Sequence, residues 1–171
     1  MAPLVRRSWA PKGHTPILSQ RTQSHKKVSA IAVLCNSPKR DLVSLYFRLH
    51  PDANINGELV LQFLKHLRKQ LKKHPLVLVW DGFLAHRTQK VQSYITNSKI
   101  LSAEYLPPYA PELNPLENAW GYLKMNPMAN DSRPDVLSLA KTARRHGRSI
   151  QRQQLLTRSF VKHTPLFLRL K

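Results

Sequence analysis

With 171 residues and 42% apolar content, the chain is long and apolar enough for one domain with a buried core, which excludes global disorder. Lysines and arginines number 28 against 9 aspartates and glutamates, a formal charge of +19, and a field of this sign captures polyanions such as nucleic acids. One cysteine, Cys35, excludes an internal disulfide and a cysteine-rich zinc site, and no apolar run reaches the ~18 residues of a membrane helix.

In chain order, residues 1–27 are basic and turn-rich, with a short strand expected around Leu4–Trp9. The opening lacks a signal-peptide apolar stretch, so a cytoplasmic protein is expected. Val28–Cys35 and Leu42–Leu49 read as two strands of an antiparallel hairpin broken at Ser37-Pro38. A helix is expected from Gly57 to Lys73. Val60, Phe63, Leu64, Leu67 and Leu71 form its apolar stripe, and Asn56 is its N-cap. Leu76–Trp80 is a continuous apolar run, which suits a strand covered on both faces. A helix over about Thr88–Thr96 and a strand over Ile100–Leu106 follow. This strand–helix–strand alternation argues for an α/β sheet with parallel members. After a proline-rich loop, a helix is expected from Pro115 to about Met125. Residues 126–171 are strongly basic, and helices are expected around 134–146 and 150–161. Residues 1–125 are thus read as the core and 126–171 as its basic helical extension. The tryptophans Trp9, Trp80 and Trp120 are read as core residues.

In so basic a chain the few acids are informative. Asp81 ends an apolar strand, the position where open α/β sheets gather their sites. Aspartate before glycine is equally a common turn residue, and position alone does not separate the two readings. Glu117 stands third in the helix that starts at Asn114-Pro115. There a glutamate can satisfy the cap backbone, and on spacing alone that capping role is favoured. Glu117, Gly121 and Lys124 share one helix face, an arrangement that suits a metal beside a phosphate backbone. Asp41 and Asp52 fall at hairpin and loop positions, and Glu112 reads as a loop-stabilising acid.

The stretch L-P-P-Y-A-P-E-L-N-P-L-E-N-A-W-G-Y-L-K (Leu106–Lys124) closely resembles the signature of the mariner superfamily of DDE transposases, nearest to its bacterial insertion-sequence branch. V-L-V-W-D-G resembles that family's strand ending in aspartate. Residues 82 through 116, 35 in number, separate the two acids, close to the family spacing. R-R-S-W-A-P-K-G-H-T-P (Arg6–Pro16) is similar to the segment that follows the family's first catalytic strand. The resemblance implies a ribonuclease-H-like mixed sheet flanked by helices. It also implies DNA strand cleavage and strand transfer with two Mg²⁺ or Mn²⁺ ions, in a bacterial cytoplasm. Asp81 would bridge the metals and Glu117 would hold one of them. His86 matches a position where an amide or histidine follows the aspartate, and is an accessory candidate. The implied partners are transposon-end and target DNA and a second copy of the chain. Lys90, Lys99, Lys124, Arg144, Arg145 and Arg148 are candidate phosphate contacts.

One departure matters. No acid precedes Trp9, so the resemblance leads to the expectation that the family's first aspartate and the central strand that carries it are not supplied by these residues. The expectation is an N-terminally truncated catalytic region, inactive alone and needing an upstream fragment or frameshift partner. The alternative is a non-enzymatic basic DNA-binding remnant or inhibitor. A ribosomal or other RNA-binding protein would explain the charge but not the two acids.

Overall fold

In the computed structural model, the residues described are 7, 9–15, 27–72, 74–131, 133, 135–166 and 170. The strand expected around Leu4–Trp9 lies mostly outside them. Trp9 itself is fully exposed and not core, because Arg7 and Trp9–Thr15 form no regular element that could bury it.

Strands β1 (Val28–Asn36) and β2 (Val43–Pro51) pair antiparallel, from Val28 opposite Pro51 to Asn36 opposite Val43. Ser37 makes the turn. Its hydroxyl accepts the N–H groups of Asp41 and Leu42, both at 3.1 Å, and donates to Asp41 Oδ1 at 2.5 Å. That hydroxyl holds the Asp41 carboxyl below the usual range. Asp52 closes the other end in the left-handed region, at φ 52°, with its N–H on the Lys27 carbonyl at 2.7 Å. Both acids are therefore turn residues.

Helix α1 (Gly57–Gln70) is capped by Asn56, whose side chain accepts the Leu59 N–H at 3.0 Å. Its stripe of Val60, Leu61, Phe63, Leu64 and Leu67 is buried. Strand β3 (Leu76–Trp80) leads through a 3₁₀ turn (Leu84–Arg87) into α2 (Gln89–Thr96) and then β4 (Leu101–Tyr105). β3 and β4 run parallel, Leu76 opposite Leu101 and Trp80 opposite Tyr105. Leu78 and Leu101 on one face pack with Val60, Leu64, Val91 and Ile95 of α1 and α2. The other face is open: Val77 is 66% and Val79 54% exposed, beside exposed Ser102 and Glu104. The expectation of a strand covered on both faces is thereby corrected. An apolar run shows that a strand can be covered, but here helices cover one side only.

Helix α3 (Pro115–Met125), helix α4 (Val136–Gln151) and helix α5 (Gln154–Lys162) pack on the hairpin. Leu45, Ala119, Leu123, Met128, Ala143, Ile150 and Phe160 make this second core, with Trp120 and Leu116 half-buried against it. The basic tail thus contributes apolar residues to the same core as the hairpin. Glutamines finish the outer edge of β2. The Gln154 amide both accepts from and donates to the Val43 backbone at 3.2 Å, as a neighbouring strand would, and Gln151 donates to the Leu45 carbonyl at 2.7 Å. Gly147 lets α4 approach this sheet, since a Cβ there would lie 2.5 Å from Phe47 Cζ. Gly147→Ala is expected to cost about 1–3 kcal/mol through overpacking, despite alanine's better helix propensity. A lowered urea midpoint with unchanged slope checks this.

Among the described residues the strands form two separate two-stranded sheets, β1–β2 and β3–β4. Ile31 of β1 packs against the β3–β4 core, so both sheets belong to one body. The architecture is the expected mixed α/β arrangement of small sheets flanked by helices.

Candidate active site

Asp81 leaves the end of β3 with its side chain 56% exposed. One of its oxygens is committed. Oδ1 accepts the Phe83 N–H at 3.1 Å, an aspartate turn, and lies 3.2 Å from His86 Nδ1. The same His86 nitrogen is 3.4 Å from the Asp81 carbonyl. Both partners are acceptors only, so Nδ1 carries the proton. The imidazole stacks flat on Trp80, with centroids 4.3 Å apart and planes at 6°, and meets the edge of Phe83 at 5.6 Å. Burial lowers the His86 pKa, and the bonds to Asp81 only partly oppose it. The contact is therefore a hydrogen bond from a neutral imidazole near pH 7, not an ion pair. Its effect is positional: Oδ1 is fastened on an otherwise largely exposed carboxylate.

Around this corner stands a network that the sequence did not announce. Gln92 Nε2 bridges the His86 carbonyl (2.7 Å) and the Tyr105 hydroxyl (2.8 Å). The Arg87 guanidinium lies over the Tyr105 ring, 5.1 Å from its centroid. Trp80 and Tyr105 are register partners at the ends of parallel strands, with ring centroids 6.1 Å apart. Aromatic residues closing both strands were the one signal available for this network. Trp80 is thus half-buried packing that also supports a polar side chain.

Glu117 sits in the first turn of α3 and is exposed. The cap is made without it. Asn114 accepts the Leu116 N–H at 3.1 Å, and the Asn114 N–H, the group that a capping glutamate would take, donates to the Pro111 carbonyl at 2.9 Å. The 3₁₀ turn Pro111–Leu113 of the proline-rich loop thus satisfies the cap and leaves the Glu117 carboxylate available. Glu117→Gln is accordingly expected to change stability by less than ~0.5 kcal/mol, where loss of a working cap would cost about 1 kcal/mol. Thermal denaturation distinguishes the two. On the same helix, Gly121 adjoins open space, with nothing within 4 Å of a Cβ built there, and Lys124 is half-exposed.

Asp81 belongs to the β3–β4 unit and Glu117 to the helix packed on the hairpin. His86 is brought against Asp81. Among the described residues, no three of His, Cys, Asp and Glu gather as a metal-binding group. Hard divalent cations take oxygen ligands, so the carboxylates fit in kind, but the donor set falls short in number. Of the candidate phosphate contacts, Lys90 pairs with Glu58 at 3.3 Å, both largely exposed, and such a pair contributes little to stability. Lys99, Arg144, Arg145 and Arg148 are exposed, the three arginines along α4.

A family model described as DDE superfamily endonuclease matches residues 2–140. No curated protein matches the chain. Among solved structures, the fold is similar to "Mos1 transposase paired-end complex with left transposon end", with TM-score 0.59 and 15% identity, over 98% of this chain and 49% of that one. It is also similar to the Mos1 strand transfer complex, with TM-score 0.50 and 19% identity, over 97% and 52%. A third similar structure is the Mos1 mariner paired end complex with Mn, with TM-score 0.51 and 16% identity, over 98% and 53%. The chain spans about half the length of the chains in these structures. At such identities the likeness is one of fold, the ribonuclease-H-like arrangement. With most of its length inside the family match and its sheets and helices in that fold, the chain belongs to the DDE superfamily endonucleases.

Proposed function

We propose that this chain is the catalytic region of an insertion-sequence transposase that cuts and joins DNA with Mg²⁺ or Mn²⁺, in the bacterial branch of the family. The observation that supports this most is the pair of available carboxylates. Asp81 has Oδ1 fastened and a side chain 56% exposed, and Glu117 is freed from capping by the Pro111 carbonyl. When bound, two hard cations would activate an attacking oxygen and stabilise the leaving one. Asp81 and Glu117 are their proposed ligands within this chain. His86 fixes the rotamer of Asp81. No three of His, Cys, Asp and Glu gather among the described residues, so Glu117 and a further carboxylate are proposed to join Asp81 in the active assembly. Transposon-end and target DNA are the proposed partners, and two copies of the chain would pair two ends. The similar Mos1 structures are paired-end and strand transfer complexes, which supports that arrangement by analogy. The lone cysteine and a substrate of DNA suit the bacterial cytoplasm. No helix among the described residues is long and apolar enough to cross a membrane.

The test is cleavage of transposon-end duplex by the active assembly in Mg²⁺ or Mn²⁺. Metal-dependent cleavage that Asp81→Ala and Glu117→Ala each abolish supports the proposal. DNA binding with metal-dependent cleavage untouched by either change overturns these roles. DNA binding with no cleavage under any condition favours the basic DNA-binding remnant or inhibitor instead. In either case affinity is expected to fall steeply with salt, because phosphate contacts release counterions. The slope of log affinity against log salt measures it.

A further inference from the structure

We infer that the outer face of α1 and α2 carries a second DNA-backbone site, separate from the acid corner and from the arginines of α4. A concave surface of about 440 Å³ lies between the two helices, lined by Gln62, Lys65, His66, Arg68, Lys69 and Tyr94. No acid is among these residues. The ion pairs Lys90–Glu58 and Arg133–Asp131 involve none of its cations. Lys65 and Lys69 are both exposed and four residues apart on one helix face. Like charges at that spacing destabilise a helix, and no i±4 acid relieves them here. Lys69 gains something from the helix C-terminus, where basic residues are favoured, but Lys65 stands mid-helix and gains nothing there.

Two further lining residues, Arg68 and Tyr94, are held in place. Arg68 donates to the His74 carbonyl at 2.8 Å, which anchors its guanidinium at the end of the groove. Tyr94 is half-buried, its ring packed against the β3–β4 core, so it forms a fixed wall bearing a hydroxyl that can donate to phosphate. At ~1.5 Å per residue, Lys65 and Lys69 are about 6 Å apart along the helix, comparable with the through-space separation of neighbouring phosphates on one DNA strand. A concave, acid-free surface with two unpaired lysines at this spacing recognises a strand of phosphates. It carries no group arranged to read base edges, so contact there is independent of sequence.

The inference rests on DNA being the partner, and its test is independent of cleavage. Duplex binding is followed by fluorescence anisotropy over a salt series for the wild-type chain, for Lys65→Gln/Lys69→Gln, and for Lys39→Gln in the exposed hairpin turn as a control. The groove variant is expected to bind on the order of tenfold more weakly, equally for any sequence, with a salt slope lower by about 2. Its melting temperature is expected to be unchanged or higher, since a like-charge pair is removed. The control is expected to keep the wild-type slope. A groove variant with the wild-type slope, or one no weaker than the control, overturns the inference and leaves the metal-site proposal standing. A reduced slope without any metal-dependent cleavage supports the groove and counts against the metal site. Absence of salt-dependent binding by the wild-type chain overturns both.

Discussion

Asp81→Ala in the active assembly is expected to lower metal-dependent strand cleavage by at least about a thousandfold, while leaving DNA affinity within about threefold. A bound cation supplies several kcal/mol to the transition state of phosphoryl transfer, and ~4 kcal/mol is about a thousandfold in rate. The carboxylate is largely exposed and its fold-side contacts are a turn N–H and one imidazole nitrogen, so little stability rides on it. His86→Ala has a different expected signature. It leaves the carboxylate and its Phe83 N–H but removes the imidazole from Oδ1 and from the face of Trp80, so cleavage falls by the ~10–100-fold typical of residues that orient a metal ligand. More Mn²⁺ in the assay should recover part of that loss. Single-turnover cleavage rates at several Mn²⁺ concentrations separate the two variants: Asp81→Ala stays inactive throughout and His86→Ala is partly rescued.

The second large effect is on stability. Phe160→Ala is expected to cost about 3–5 kcal/mol, the usual range for truncating a buried aromatic residue. Phe160 is 5% exposed, its ring is 5.8 Å from that of Tyr122, and its carbonyl accepts from Asn118 Nδ2 at 3.0 Å. The ring contact with Tyr122, which alanine removes, packs α5 on α3, the helix whose first turn carries Glu117, while the backbone bond from Asn118 remains. The variant should therefore loosen the helix carrying the acid as well as the basic tail. A chain in which the tail were only a solvated extension would lose little. Urea denaturation followed by far-UV circular dichroism distinguishes the two.

Much of this organisation was legible in the residues. The hairpin, the stripe of α1, its Asn56 cap and the parallel β3–α2–β4 unit follow from patterns of period 2 and 3.6 with their caps and breakers. The family signature placed Asp81 at a strand end and Glu117 at a helix start. The covering of β3 was not legible, because V-L-V could be buried on both faces or one. What decides is which helices lie over the sheet, a tertiary fact. Nor was the release of Glu117 from its cap, since N-P-L-E reads as a capping pattern until the Pro111 carbonyl is seen on the Asn114 N–H. The fixing of Asp81 by His86 was half visible. The position matched a family histidine, but the Trp80 stack that holds the ring depends on how the 3₁₀ turn folds back over the strand end. Trp9 was misjudged because size and apolarity suggest burial, whereas burial also needs a neighbouring element to pack on.

Asp81 and Glu117, although they stand on different packing units, are proposed to hold the same divalent cation. Replacing Mg²⁺ with Fe²⁺ in the DNA-bound protein, then adding ascorbate and peroxide, cuts the protein backbone next to the bound ion. Mapping the fragments reports which residues lie beside it. Scission near both residue 81 and residue 117, lost at both places in Asp81→Asn and suppressed by excess Mg²⁺, is the result expected. Scission at neither, or cuts near one acid that persist when the other is removed, would contradict a shared metal site.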